Sequence, residues 1–321
     1  MLRVYTLLLV VTLISGSTPV AASLATKELP PLTLAPVRFG IAGALLALTI
    51  WILRLPWSVP RKEWPALLGL AALCVPINQV CYLFGLRLAN ASHGGIAYAM
   101  VPVMVFWVSL SLGRAVLTPR MVWATTLASL GAITVVIATE TASGGTIQFQ
   151  ARFVQGDLLL LCAAASWSVF AVLSQPVVQR LGAIQALAVV FLLGSVMHLP
   201  LVALDGLYFD LRSFDLRAVS WRGWAGFAFI TLITAYTNYL LWYLVVARFD
   251  VTRSAVVTNA NFLVTVILEA LFFAQPVSWW VAAGSAVLLA GIALSAPPKK
   301  SNPARSLNRP RNHRAVSPPV K

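Results

Sequence analysis

Ten apolar stretches divide the chain, each bounded by charged residues, proline or glycine. They cover residues 4–25, 34–54, 65–86, 91–112, 120–139, 157–177, 183–204, 223–246, 252–273 and 277–296. A helix rises 1.5 Å per residue, so about 20 apolar residues cross the roughly 30 Å of hydrocarbon in a bilayer. Connections are short except 140–156 and 205–222, and neither has room for a soluble domain. The pattern predicts an all-α integral membrane protein with ten transmembrane helices. The tail 297–321, rich in Pro, Ser, Asn and positive charge, is expected to be a disordered cytoplasmic extension.

Composition agrees. With 60% hydrophobic and 10% charged residues and a mean hydropathy of +0.86, too little polar surface exists to coat a water-soluble globule. The net charge of +14 would suit nucleic acid, but seven of the 23 basic residues lie in the tail and most others punctuate apolar runs. They read as topology signals, so no nucleic-acid partner is expected. Putting the N-terminus in the cytoplasm assigns 16 Lys and Arg to that side. Seven fall outside: Lys27, Arg38, Arg87, Arg152, Arg212, Arg217 and Arg222. Both ends are therefore expected in the cytoplasm of a cell (inner) membrane. Cys74, Cys81 and Cys162 sit inside apolar runs with no metal-ligand spacing, and neither metal nor cofactor is expected.

An internal repeat carries more information. Residues 78–131 lie over 238–291 at a constant offset of 160 without a gap, pairing Asn78 with Asn238, Tyr82 with Trp242 and Gly131 with Gly291. Upstream, 31–35 lies over 183–187 at an offset near 152, and the longer 205–222 loop absorbs the difference. The chain then divides into a first five-helix unit (1–139), an external loop (140–156), a second unit (157–296) and the tail. The N-terminal stretch has the parts of a secretion signal: Arg3, a short apolar core, and Ala21 and Ala22. Its removal would leave the first unit one helix short. Thr12, Ser15, Gly16, Pro19, Ser23 and Thr26 also form a small, polar stripe suited to packing in a bundle, so the segment is read as a retained first helix. An odd number of helices per unit inserts the second copy upside down, the inverted arrangement that supports alternating access.

The chain resembles the EamA-type transporters of the drug/metabolite transporter superfamily. The resemblance rests on "ATKELPPLTLAPVRFGIAGALLAL" (25–48), "LFGLRLANASHGGIAYAMVPV" (83–103), "LTPRMVWATTLASLGAI" (117–133) and "GDLLLLCAAASWSVFAVL" (156–173). It implies a ten-helix carrier that exports or exchanges small metabolites, with a central cavity lined mainly by helices 3, 4, 8 and 9. Two features depart from the family. The Glu-Pro pair of the fourth and ninth helices is Val101-Pro102 and Asn261-Phe262 here, and the Gly-Glu after the fourth helix is Gly113-Arg114.

Candidate residues follow from position. Ser254, Thr258, Asn261, Thr265 and Glu269 recur at steps of 4, 3, 4 and 4, which places them within roughly an 80° arc of one helix. Such a row makes either interhelical hydrogen bonds or a substrate wall. Glu269 is the one carboxylate well inside a predicted span, a candidate for proton coupling unless it reaches the headgroups. Asn78 with Tyr82 and Asn238 with Trp242 duplicate an amide and an aromatic across the symmetry axis, either as a recognition set for a small solute or as structural glue. Trp167 with Ser166 and Ser168, Tyr98, Tyr236 and Tyr239 are lower-ranked candidates for substrate contact, since tyrosines and tryptophans often belong to interfacial belts. His93 and His198, near helix ends, read as polar handles. No convergent nucleophile, base or metal ligands suggest an enzyme. The expected function is a secondary transporter of a small metabolite, amino-acid-like solute or drug-like compound. A channel and a lipid or lipid-linked carrier are the alternatives, and a monomer suffices although a dimer is compatible.

Overall fold

The computed structural model describes residues 2–88, 91–142, 144, 154–207, 215–273 and 277–296. The tail, most of the 140–156 loop, part of the 205–222 loop and the side chain of Glu269 lie outside the described residues. Ten spans form an all-α bundle. Helix 1 is Leu2–Thr26 and helix 2 Pro31–Ile52; helix 3 comprises Trp64–Ala72, Leu73–Ile77 and Asn78–Leu88. Helix 4 comprises Ala91–Ala99 and Val101–Ser111; helix 5 is Pro119–Ala142, helix 6 Val154–Leu181 and helix 7 Ala183–His198, which tightens into a 3₁₀ segment over Leu199–Leu207. Helix 8 comprises Trp221–Ala228, Phe229–Asn238 and Tyr239–Val246; helix 9 comprises Val251–Thr258 and Asn261–Phe273; helix 10 is Trp279–Ser295.

The ends of these helices are set by local chemistry. Pro31 opens helix 2, where its missing N–H needs no partner. The next free donors are met from far along the chain: Leu32 N and Thr33 N donate to the Asp205 carboxylate at 3.1 and 2.6 Å, and Thr33 Oγ1 donates to it at 2.7 Å. A carboxylate at a helix N-terminus also complements the helix dipole. Ser220 and Asp250 cap helices 8 and 9 through Gly223 N and Arg253 N.

The two halves meet through reciprocal contacts. A Cβ built on Gly291 would fall 2.5 Å from Ala128 N, and one on Gly131 would collide with Leu288 backbone. Adding 160 to 128 and 131 gives 288 and 291, so the two contacts are one contact seen from either end. Helices 2 and 7 repeat the pattern at the offset of 152: Gly40 faces Ser195 while Gly43 faces Leu192. In both pairs residue numbers rise on one helix as they fall on the other, the signature of antiparallel neighbours across a pseudo-two-fold axis. Close approach through small residues is how membrane helices gain packing energy where lipid supplies no hydrophobic drive. Helix 1 packs on helices 8 and 9, and helix 6 takes the equivalent place on helices 3 and 4. The largest buried core joins helices 2, 3, 6, 7 and 8 around Phe39, Phe170, Phe191 and Tyr243. Leu9, Trp51, Trp123, Leu271 and Phe272 face outward, as a lipid-exposed surface requires.

Candidate functional site

Helices 3 and 8 are both distorted at the same place. Residues 73–77 form a π-helical turn that contains Pro76; adding 160 gives 233–237, which falls inside the π-helical segment Phe229–Asn238. A π-turn widens the helix and misaligns carbonyls, and such turns concentrate at functional sites. One of these carbonyls, Leu73 O, accepts Ser166 Oγ of helix 6 at 2.8 Å. Helices 4 and 9 are broken at equivalent points as well, between Ala99 and Val101 and between Thr258 and Asn261. Pro102 follows the first break, whereas no proline accompanies the second. Asn259 joins the two: its Nδ2 donates to Ala99 O at 3.3 Å and to Ala128 O at 3.1 Å.

Beside these distortions runs a polar relay. Arg38 Nη2 donates to Gln79 Oε1 at 3.0 Å, Gln79 Nε2 donates to Asn78 Oδ1 at 2.9 Å, and Asn78 Nδ2 donates to Tyr98 Oη and to Ala163 O, both at 2.9 Å. The direction is fixed at both ends, because a guanidinium only donates and a backbone carbonyl only accepts. Four helices, 2, 3, 4 and 6, are thereby tied together. Arg38 lies about 5 Å along the axis from the middle of helix 2. It is the correction to the outward count of basic residues: its side chain turns into the bundle instead of marking a loop. Helix 2 begins at Pro31, three residues before the apolar run suggested, which moves Arg38 two turns inside.

Aromatic rings complete the wall. Tyr82 and Tyr98 meet edge to face at 5.3 Å, and Tyr239 packs against Trp167 at 5.4 Å, Phe191 at 5.1 Å and Phe39 at 5.9 Å. Arg38 Cζ sits 4.6 Å from the Phe39 ring centroid, within range of a cation–π contact. Tyr82, Tyr98, Trp167 and Tyr239 all pack on the main core yet keep accessible surface, as does Arg38. These side chains are central and still accessible, as the wall of an internal crevice would be. A separate groove of about 830 Å³, lined by Trp51, Arg54 and Trp57 among others, opens at the far end of helix 2 and shares none of these residues.

The remaining candidates divide by location. Asn238 Nδ2 donates to Ser15 Oγ of helix 1 at 3.0 Å, while its Oδ1 is buried without a partner; Trp242 is buried with Nε1 likewise unpaired. Ser254 Oγ bonds to Asp250 O and Thr258 Oγ1 to Ser254 O, each within its own helix. Thr265 Oγ1 reaches Gly16 O of helix 1 at 2.8 Å, and Asn261 Oδ1 is buried without a partner. The row from Ser254 to Thr265 therefore spans two helical pieces instead of one face, and its second piece meets the small stripe of helix 1. The break at Asn259 is the reason. Sequence reasoning treats Arg38 as a topology charge and passes over Gln79 and Asn259; the offset of 160, which lays Ala99 over Asn259, is the signal available for Asn259. The other carboxylates have structural partners: Asp157 Oδ1 meets His93 Nδ1 at 2.6 Å, and Glu63 accepts two bonds from Arg180.

Inverted halves, duplicated helix breaks and a polar interior define an inverted-repeat membrane transporter. Comparison with known proteins gives the particular class. The model of the EamA-like transporter family matches residues 2–137 and 154–296, one range in each half, and the chain belongs to that family. It is 21% identical over 288 residues to the uncharacterized transporter YetK of Bacillus subtilis (strain 168), covering 89% of this chain and 84% of the relative. It is 24% identical over 294 residues to an uncharacterized transporter of Archaeoglobus fulgidus, covering 91% and 97% of the two chains. A solved crystal structure superposes with a TM-score of 0.76 at 21% identity over 96% of this chain and 99% of the other, a likeness of fold. The protein is a multi-pass membrane transporter and not an enzyme.

Proposed function

We propose that the protein is a secondary carrier that exports or exchanges a small metabolite, amino-acid-like solute or drug-like compound by alternating access of the interior crevice. The single observation behind this reading is the coincidence, at offset 160, of π-turns in helices 3 and 8 with breaks in helices 4 and 9 around one polar crevice. Discontinuous helices at a repeat interface are where carriers bind solute near the midplane. Tyr82, Tyr98 and Trp167 are proposed to touch the solute, with Asn78 holding Tyr98. In the second half Asn238, Trp242 and Asn261 are the proposed counterparts, having buried polar atoms that a solute or water would satisfy. Ser254, Thr258 and Thr265 are proposed to shape the wall around them. Glu269 is proposed to couple proton movement, and both termini to lie in the cytoplasm of the inner membrane.

Metabolite profiling of a deletion strain against an overexpressor should yield compounds that change in opposite directions, and these should show saturable counterflow in liposomes holding the purified protein. Flux that never saturates would make the protein a channel. Termini mapped to opposite faces of the membrane would end the inverted-repeat carrier reading. Glu269→Gln should flatten the pH profile of transport, and an unchanged profile removes Glu269 from coupling.

A further inference from the structure

Among the described residues, the interior of the bundle holds a fixed positive charge, Arg38, with no protein counter-charge. Arg38 stays protonated at any physiological pH, because guanidinium does not deprotonate in proteins. The ion pairs His93–Asp157 and Arg180–Glu63 do not involve Arg38. Its single protein acceptor is the neutral Gln79 amide, and Nε is buried without one. The titratable groups in electrostatic reach are Tyr239, Cys74, Tyr98, Tyr82 and His198, none of them an anion in its ordinary state at pH 7. The helical segment bearing Glu269 packs chiefly on helices 1 and 5, away from helix 2. A charge within a membrane span is expensive unless paired, and those that persist mark substrate or ion paths.

We propose that the missing partner is the cargo: an organic monoanion whose carboxylate docks on Arg38 and whose apolar body packs against Tyr239, Trp167 and the Tyr82–Tyr98 pair. Arginine suits this role because its planar fork matches a carboxylate, and here the guanidinium is held by Gln79 at Nη2 and by the Phe39 ring beneath Cζ. The relay through Gln79 and Asn78 holds the guanidinium in place at Nη2. Among the described residues no carboxylate lines this wall, so an ammonium group on the cargo would find no partner there. The inference rests on the carrier reading and narrows it to a charge class.

The test uses the full chain in detergent and two probes of one shape, 3-phenylpropionate and the neutral 3-phenylpropionamide. Binding is followed by thermal stabilisation and tryptophan fluorescence, and counterflow is measured separately in liposomes. The carboxylate should bind about tenfold tighter than the amide or better. Arg38→Gln should erase that preference, whereas Arg38→Lys should keep part of it as a point charge. Equal binding of both probes, binding of neither, or a preference that survives Arg38→Gln overturns the proposal. If Arg38→Gln does not fold, the wild-type preference and its fall in Arg38→Lys still decide. Carboxylate preference without counterflow leaves the anion site standing and removes the carrier reading; counterflow of a neutral metabolite without carboxylate preference does the reverse.

Discussion

The corner between helices 3 and 6 and the corner between helices 1 and 8 occupy equivalent places and are fastened by different chemistry. At the first, Arg180 Nε and Nη2 each donate to the Glu63 carboxylate at 2.8 Å. Residue 180 lies 152 after Glu28, and residue 223 lies 160 after Glu63. At the second corner the acid is therefore on the other strand of the clasp: Glu28 accepts Ser220 N at 2.6 Å and Ser220 Oγ at 2.7 Å. Gly223 stands where Glu63 stood, and an added Cβ there would lie 3.1 Å from Glu28 Cδ. Duplication has preserved the backbone and released the side chains. The interior follows the same rule, since Arg38, Gln79 and Tyr98 are matched by Val190, Tyr239 and Thr258. Symmetry here sets where a site lies, while the departures from symmetry set what it binds.

The comparison can be broken at four levels. The largest effect belongs to the shared scaffold. Gly131→Leu and Gly291→Leu should each destabilise by about 3 kcal/mol, because both force side-chain volume into backbone contact. Thermal unfolding in detergent should show losses of similar size, and strongly unequal ones would deny their equivalence. Next come the paired amides. Asn78→Ala removes three hydrogen bonds, two of them between helices, and should lower stability by about 1.2 kcal/mol, at about 0.6 kcal/mol per interhelical bond. Asn238→Ala removes the one bond to Ser15 and should lower it by about 0.6 kcal/mol in the same assay.

Smaller still is the charged clasp. Arg180 is half exposed, so Arg180→Gln should reduce stability by about 0.5 kcal/mol, more so at low salt. The least effect is expected at Glu28, which keeps part of its surface exposed. Hydrogen bonds from the Ser220 hydroxyl and then its backbone N–H hold the Glu28 carboxyl below its ordinary value of 4.5. Its folded pKa is the lower one, so its contribution is complete above the unfolded pKa and fades as pH falls through the folded value. Melting curves from pH 7 to pH 3 should therefore show a shallower acid loss in Glu28→Gln than in the wild type.

The architecture was legible because it depends on length, apolarity and register. A span must be long enough to cross hydrocarbon, and an uninterrupted offset of 160 forces two copies whatever their side chains. The site was less so, for separate physical reasons at separate residues. Arg38 stands near the start of an apolar run, where a side chain long enough to snorkel looks the same as a loop charge. The paired Pro30 and Pro31 were the clue that the helix begins earlier. Asn259 falls off the phase of the Ser254–Glu269 row, so periodicity passed over it, and the break that gives it a role has no proline to announce it. Asn78 was found by symmetry, yet Gln79 beside it was not, since its repeat partner is an aromatic. Patterns that repeat could be read; a polar contact made between unlike residues on distant helices could not.

The glycine crossing of helices 5 and 10 has a mechanical consequence. Main chain rests on main chain there, with no compressible side chain between, so sliding along the line of contact would drive peptide groups into one another. Rotation about that line meets no such obstacle. A swing of the halves such as the proposed carrier makes is expected to turn on this seam like a door on its pin, and loosening the pin should spoil the swing while leaving the guanidinium and its rings intact.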